Sequence, residues 1–271
     1  QGVLAAEPSY MESNVHICRL WLHECLRVFS DRLIDGDDRN WLLAQMKDSI
    51  IPALFQIKWS TIMNLNVPNR TTVKEAGNED DNEMSKLLAI EESDESISSM
   101  NQPLPLMFGN FTNPSAFGEQ RKYEDLGGLG HKNLISLVQS YLTEYNMSRA
   151  DGGMDLVLFT YCVEHVVRVC RVLRQPGGNA LLVGVGGSGR KSVTALACYI
   201  SNQKLQQIEL TKSYGMFEWR EDVKNMMKMS GLKDTPTTFM LMDTQLVDEL
   251  FVEDINNLLN TGEVQNLFPD D

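Results

Sequence analysis

Four glycines in six residues lie between an apolar run and a helix-like stretch in NALLVGVGGSGRKSVTALACYI, residues 179–200. The loop Gly184-Val185-Gly186-Gly187-Ser188-Gly189 has the composition of a phosphate cradle. Glycines allow a tight turn whose N–H groups converge, and the helix that follows adds a dipole favourable to anions. A plain strand-to-helix turn needs fewer glycines.

The spacing admits two chemistries. In the P-loop pattern G-x-x-x-x-G-K-[ST], Gly184 and Gly189 take the glycine positions, and the lysine slot falls on Arg190. Arg190 can engage phosphate oxygens, even bidentately. The hydroxyl slot falls on Lys191, which cannot ligate Mg²⁺. Ser192 comes one residue late, about 100° further round the helix. The apolar run FMLMDT, residues 239–244, ends in Asp243, as a metal-holding strand of a nucleotide site would. The next position is Thr244, a poor base for activating water. The pattern therefore predicts phosphate binding with weak metal organisation and weak hydrolysis. The second chemistry is dinucleotide binding. The same letters fit G-x-G-x-x-G, and Glu209 closes the next strand about 20 residues on, where an acid would hold a ribose.

Other candidates read as structural. His23-Glu24 does not continue into H-E-x-x-H, because position 27 is arginine. His165 beside Glu164, and Met226, Met227 and Met229, suit helix packing. No Ser/His/Asp set and no metal-ligand spacing stands out, and no residue is assigned a catalytic role.

The whole chain sets the bounds. It has 271 residues, is 42% hydrophobic and 23% charged, and carries a net charge of −13. Such a charge excludes a broad nucleic-acid binder, which needs a basic face. No apolar run approaches the ~20 residues of a membrane helix, and the first residues lack the pattern of a signal peptide. The chain does not open on methionine, so it is expected to be a piece of a longer one. Cys18, Cys25, Cys162, Cys170 and Cys198 form no C-x-x-C pair and read as buried free thiols in a reducing compartment.

Periodicity places these residues on elements. Residues 15–57 read as helical, with Ile17, Leu20, Trp21, Cys25, Val28 and Phe29 on one face and a break or kink at Pro52. Between Glu75 and Glu95 there are nine acids, one lysine and no aromatic residue, so 66–100 is expected to be a disordered acidic loop. A helix is expected at 131–146, with Leu134, Leu137, Val138, Tyr141, Leu142 and Tyr145 inward. A longer one is expected within 154–175, with Phe159, Cys162, Val163, Val166, Val169, Cys170 and Leu173 on one face. Then strands at 180–185, 205–210 and 237–243 alternate with helices at 190–202, 216–231 and 247–260. This alternation predicts an α/β fold with a parallel sheet covered on both faces, incomplete at residue 271.

Five stretches in order carry a family resemblance: LWLHECLRVFSDRLID (20–35), LMFGNF (106–111), PGGNALLVGVGGSGRKS (176–192), YGMFEWREDVK (214–224) and DTQLVDELFVEDINNLLNTGEVQNLF (243–268). Together they resemble dynein heavy chains, most closely the ciliary inner-arm type. The resemblance implies a place in a motor ring of six AAA+ modules. Residues 1–60 would be the helical, lid-like closing part of the third module. Residues 61–105 would be an acidic insertion, 106–152 a junction with an amphipathic helix, and 153–271 the first part of the fourth module. That part would be an incomplete three-layer αβα P-loop core.

The implied role is a regulatory segment that binds ATP or ADP with Mg²⁺ and hydrolyses little, in a motor whose first module is the main ATPase. Gly184, Val185, Gly186, Gly187, Ser188 and Gly189 would wrap the phosphates, with Arg190 in the lysine position. Lys191 and Ser192 would stand at the helix start, and Asp243 on the metal side. The implied partners are the other ring modules, microtubules through a stalk, and intermediate and light chains through a tail. The implied location is the cytoskeleton of the cytoplasm and the axoneme of cilia and flagella. Neither nucleic acid nor membrane is expected. Two alternatives stay open on the residues alone: a dinucleotide-binding oxidoreductase piece, and a structural ring segment with an empty loop.

Overall fold

A computed structural model describes residue 6 and residues 8–63, 106–116, 121–149, 153–233 and 235–268. The acidic stretch at 66–100 lies outside the described residues. The chain divides into two compact units, residues 1–138 and 139–271.

The first unit opens with α1 (Asn14–Val28), capped by Ser13, whose hydroxyl accepts the Val15 N–H at 3.3 Å. Helix α2 (Gly36–Gln45) is capped in the same way by Asp35. A π-helical turn, Met46–Ile50, carries it into α3 (Ile51–Phe55). The break expected at Pro52 takes this form. Proline offers no N–H and its ring crowds the carbonyl four residues back, so the helix widens just before it. Helix α4 (Trp59–Met63) follows, and β1 (Phe108–Gly109) pairs antiparallel with β2 (Glu124–Asp125). The core gathers Cys18, Leu20, Leu22, Ile51, Ile62 and Phe108, among others.

The buried face of α1 differs from the expected one. Val28 and Phe29 are 47% and 56% exposed, whereas Arg19 and His23 are buried. Partners across the unit explain the difference. The Arg19 Nε–H donates to Asp125 Oδ2 at 2.6 Å, and Arg19 also donates to the Ile62 carbonyl. The His23 ring packs on Phe108 with centroids 5.1 Å apart. A polar residue can be buried once its polar groups are satisfied.

All five cysteines are free, as expected from the spacing. Burial pushes the Cys18 thiol up to about 11. Its neutral form is therefore favoured by folding. The unfolded thiol ionises first as pH rises past its ordinary value, so this contribution to stability is complete below that value and declines from there towards pH 11. Cys18 is expected to resist iodoacetamide at pH near 8 in the folded chain and to react once denaturant opens the unit, as peptide mass spectrometry would read.

Helix α5 (His131–Met147) begins in the first unit and ends in the second. Leu134, Val138, Tyr141, Leu142 and Tyr145 are buried along it, as its periodicity predicts. The rest of the second unit comprises α6 (Thr160–Arg174), α7 (Arg190–Ile200), β3 (Lys204–Gln206), α8 (Met216–Leu232), β4 (Thr237–Phe239) and α9 (Glu249–Thr261). Helices α6 and α7 pack together, and the Cys170 thiol of one donates to the Ala197 carbonyl of the other at 3.8 Å. A second core surrounds Trp219, which stacks on Phe251 at 4.6 Å and 10°. Met226 and Met227 pack against this core, in line with a structural role.

Three expectations in this unit are corrected. Residues 154–159 are not helical, and α6 starts only at Thr160. The strands expected at 205–210 and 237–243 shorten to β3 and β4, which pair in parallel with Lys204 opposite Thr237. The strand expected at 180–185 is neither paired nor buried, with Leu181 88% and Val183 84% exposed. An apolar run signals a wish for burial. A strand also needs a neighbour's N–H and C=O groups, and among the described residues none pairs with 180–185.

Candidate functional site

The glycine loop joins the irregular segment 180–185 to the start of α7. Gly187 and Gly189 both have φ of +77°, a region that costs side-chain-bearing residues strain and glycine none. Gly189 is the residue from which α7 departs, and its carbonyl accepts the Val193 N–H at 2.8 Å. At Gly186, apart from its two chain neighbours, no atom of the described residues stands within 4 Å of where a Cβ would be. Glycine there leaves room for a ligand to approach the backbone.

Gly184 has a different reason. A Cβ on it would stand 3.1 Å from Ser188 Oγ and 3.6 Å from Arg190 Cδ. The Arg190 side chain therefore passes close under the loop. Its guanidinium donates to the Leu182 carbonyl at 3.4 Å and the Val185 carbonyl at 3.3 Å. These long bonds are weak, and the guanidinium keeps donors for an anion. The Ser188 N–H donates to the Val185 carbonyl at 3.3 Å, closing the turn. Lys191 is exposed and Ser192 half-buried on the first turn of α7. Leu156, from the irregular segment before α6, comes within 3.9 Å of where a Cβ on Gly189 would be. Sequence reasoning missed Leu156, because the period of 154–175 reads as one helix.

Asp243 opens a short 3-10 turn, Asp243–Gln245, beyond β4. Asp243 and Thr244 are exposed, whereas Gln245 is buried. The loop residues form one continuous feature and Asp243 a second. Among the described residues no hydrogen bond or ion pair joins them. Nor does any group of three His, Cys, Asp or Glu residues there form a metal site. A single carboxylate suits Mg²⁺ that arrives on phosphates, because that ion is held by one or two carboxylates together with substrate oxygens. Glu209, the ribose-binding candidate, is exposed beyond β3. The ladder of β3 runs to β4.

Comparison with known proteins bears on the same residues. Residues 154–271 match the family described as the P-loop containing dynein motor region D4. The chain is 38% identical over 271 residues to dynein axonemal heavy chain 3 of Mus musculus, covering all of this chain and 6% of that protein. It is 35% identical over 271 residues to dynein axonemal heavy chain 1 of Homo sapiens, covering all of this chain and 5% of that one. It is also 35% identical over 274 residues to the dynein-1-beta heavy chain of the flagellar inner arm I1 complex of Chlamydomonas reinhardtii, again covering this chain whole and 5% of that protein. The chain thus spans only 5–6% of the length of these relatives. Its helices and small sheets are consistent with an AAA+ domain of that family. Aligned from end to end with axonemal heavy chains, and with both its glycine loop and Asp243 inside the D4 match, the chain belongs to the dynein heavy-chain family.

Proposed function

We propose that the chain is a nucleotide-binding regulatory segment of an axonemal dynein motor, taking ATP or ADP with Mg²⁺ and hydrolysing little. The observation that carries this reading is the loop at 184–189. Two glycines at φ +77°, open space over Gly186 and a helix starting at Arg190 make a backbone cradle for phosphate. Gly184 to Gly189 would wrap the phosphates. Arg190 would turn from the Leu182 and Val185 carbonyls to the phosphate oxygens. Lys191 and Ser192 would lie beside them at the helix start. Mg²⁺ would neutralise phosphate charge, with Asp243 as the protein's carboxylate.

Weak turnover follows from what surrounds Asp243. Thr244 is no base, and Lys191 occupies the hydroxyl slot. The ring modules, microtubules, and intermediate and light chains are the partners this reading implies for the longer motor, acting in the axoneme of a cilium or flagellum and so in its beating. The family relationship supports that assignment. It also supports a lid-like third-module segment over 1–60, a junction over 106–152 and a three-layer fourth-module core from 153.

Calorimetric titration of the purified chain with ADP and ATP, with and without Mg²⁺, tests this. Adenine nucleotide is expected to bind saturably, and Arg190→Ala to weaken it roughly 10- to 100-fold, the worth of about 1.5–3 kcal/mol for hydrogen bonds to a charged group. No binding by a chain that circular dichroism shows to be folded would leave the loop purely structural. NAD binding that Glu209→Ala abolishes would restore the dinucleotide alternative. Brisk hydrolysis lost in Asp243→Ala would refute weak turnover.

A further inference from the structure

The ladder between β3 and β4 stops in an unusual way. The Lys204 N–H donates to the Pro236 carbonyl at 2.8 Å, and the Met240 N–H to the Gln206 carbonyl at 2.9 Å. Parallel strands repeat this bond every two residues. The same register would next bring the Met242 N–H to the Ile208 carbonyl. That bond is replaced by two others. The Met242 N–H donates to Gln245 Oε1 at 2.8 Å, and Gln245 Nε2 donates to the Ile208 carbonyl at 2.8 Å. The orientation of the carboxamide is unambiguous, because a main-chain N–H only donates and a carbonyl only accepts. The side chain therefore stands in the ladder as an extra peptide group would. Gln245 is 6% exposed, and its neighbours Asp243 and Thr244 face solvent.

We propose that Gln245 is a positioning residue for the nucleotide site. Its carboxamide wedges apart the ends of two strands and fixes the turn that carries Asp243, so that this carboxylate is presented in one orientation to nucleotide-borne Mg²⁺. Both ends of the amide are committed, so Gln245 does not orient an attacking water in place of the acid that Thr244 lacks. Its work is geometric. With a shorter or apolar side chain, Met242 would close onto Ile208 and the Asp243 turn would shift. This inference rests on the nucleotide-binding reading above.

The test compares the 271-residue chain with Gln245→Leu and Gln245→Glu, titrated with ADP in the presence and absence of Mg²⁺. Glutamate has the shape of glutamine and accepts from Met242, but as a carboxylate it meets the Ile208 carbonyl acceptor to acceptor. Wild type is expected to bind ADP more tightly with Mg²⁺. Both variants should keep Mg²⁺-free affinity within about twofold and lose roughly tenfold of the Mg²⁺-dependent gain, the size of one buried hydrogen-bond defect.

Variants with the full wild-type gain would overturn the positioning role. So would loss of Mg²⁺-free binding to the same degree, which would mark a merely structural residue. A wild type that binds ADP with no Mg²⁺ gain would refute the metal role of Asp243 itself, and a wild type that binds no ADP would refute the nucleotide reading. Should Gln245→Leu not fold, the Mg²⁺-dependent gain of the isosteric Gln245→Glu decides.

Discussion

Asp125→Ala is expected to destabilise the first unit by about 3–5 kcal/mol, because it leaves the buried Arg19 guanidinium without its counter-charge. The two side chains are 7% and 1% exposed, and no solvent is at hand to replace the lost partner. Asp125 does more than neutralise. Its Oδ1 accepts the Gly127 N–H at 2.8 Å and caps the 3-10 turn Leu126–Leu129. Arg19 in turn donates to the carbonyl of Ile62 in α4, so one charge pair ties α1, β2 and the end of α4 together. A Cβ at Gly127 would crowd the same pair, standing 3.0 Å from Asp125 Oδ1 and 3.1 Å from an Arg19 nitrogen. Denaturant unfolding followed by circular dichroism gives the magnitude, and hydrogen exchange by peptide mass spectrometry gives the place. Faster exchange should concentrate in 14–28 and 106–129. A loss below about 1 kcal/mol would mean that the pair is hydrated in solution and behaves as a surface bridge. The double variant Arg19→Met with Asp125→Leu should recover only part of the loss, because an apolar pair needs no counter-charge but no longer serves the Gly127 N–H and the Ile62 carbonyl.

Trp219→Ala should cost the second unit a similar amount, about 3–5 kcal/mol for a large buried aromatic side chain. The indole is 1% exposed, stacks on Phe251, and lies 6.0 Å from the Phe239 ring of β4. Its Nε1–H donates to Asp254 Oδ2 at 3.0 Å, so truncation also strips a donor from a buried carboxylate. Trp219→Phe keeps much of the apolar area and loses the donor, and its cost should be smaller but still above 1 kcal/mol. Trp219 is the one tryptophan between residues 139 and 271, so its own fluorescence follows the wild-type unit. Hydrogen exchange in 216–232 and 249–261 should rise in both variants, with the first unit unaffected. Unchanged exchange in α8 and α9 would show that this cluster does not hold them.

Local signals identified the helices well. Helix α5 appears almost where its period places it, and α8 and α9 follow within a few residues. Capping chemistry explains why such ends are legible. Ser13, Asp35 and Asp248 each accept an N–H from the first turn of the helix they precede. The strands were harder. Residues 180–185 carry the letters of a buried strand and are exposed, since pairing depends on a neighbour that the run itself does not contain. The face of α1 was misjudged because Arg19 and His23 look like surface residues until Asp125 and Phe108 arrive from about a hundred positions away.

By itself, the sequence determined the family, the glycine loop, the arginine in the lysine position and the threonine after Asp243. Each of these depends on residue identity and short spacing, which need no folded context. The tertiary structure alone decided that Arg190 rests on the carbonyls of Leu182 and Val185, that Arg19 and Asp125 close one buried pair, and that Gln245 enters a ladder in place of a main-chain bond. These arrangements satisfy buried or converging polar groups whose partners lie far off in the chain or on the backbone. Backbone groups are the same at every position, so the order of residues does not reveal which of them is left wanting a partner.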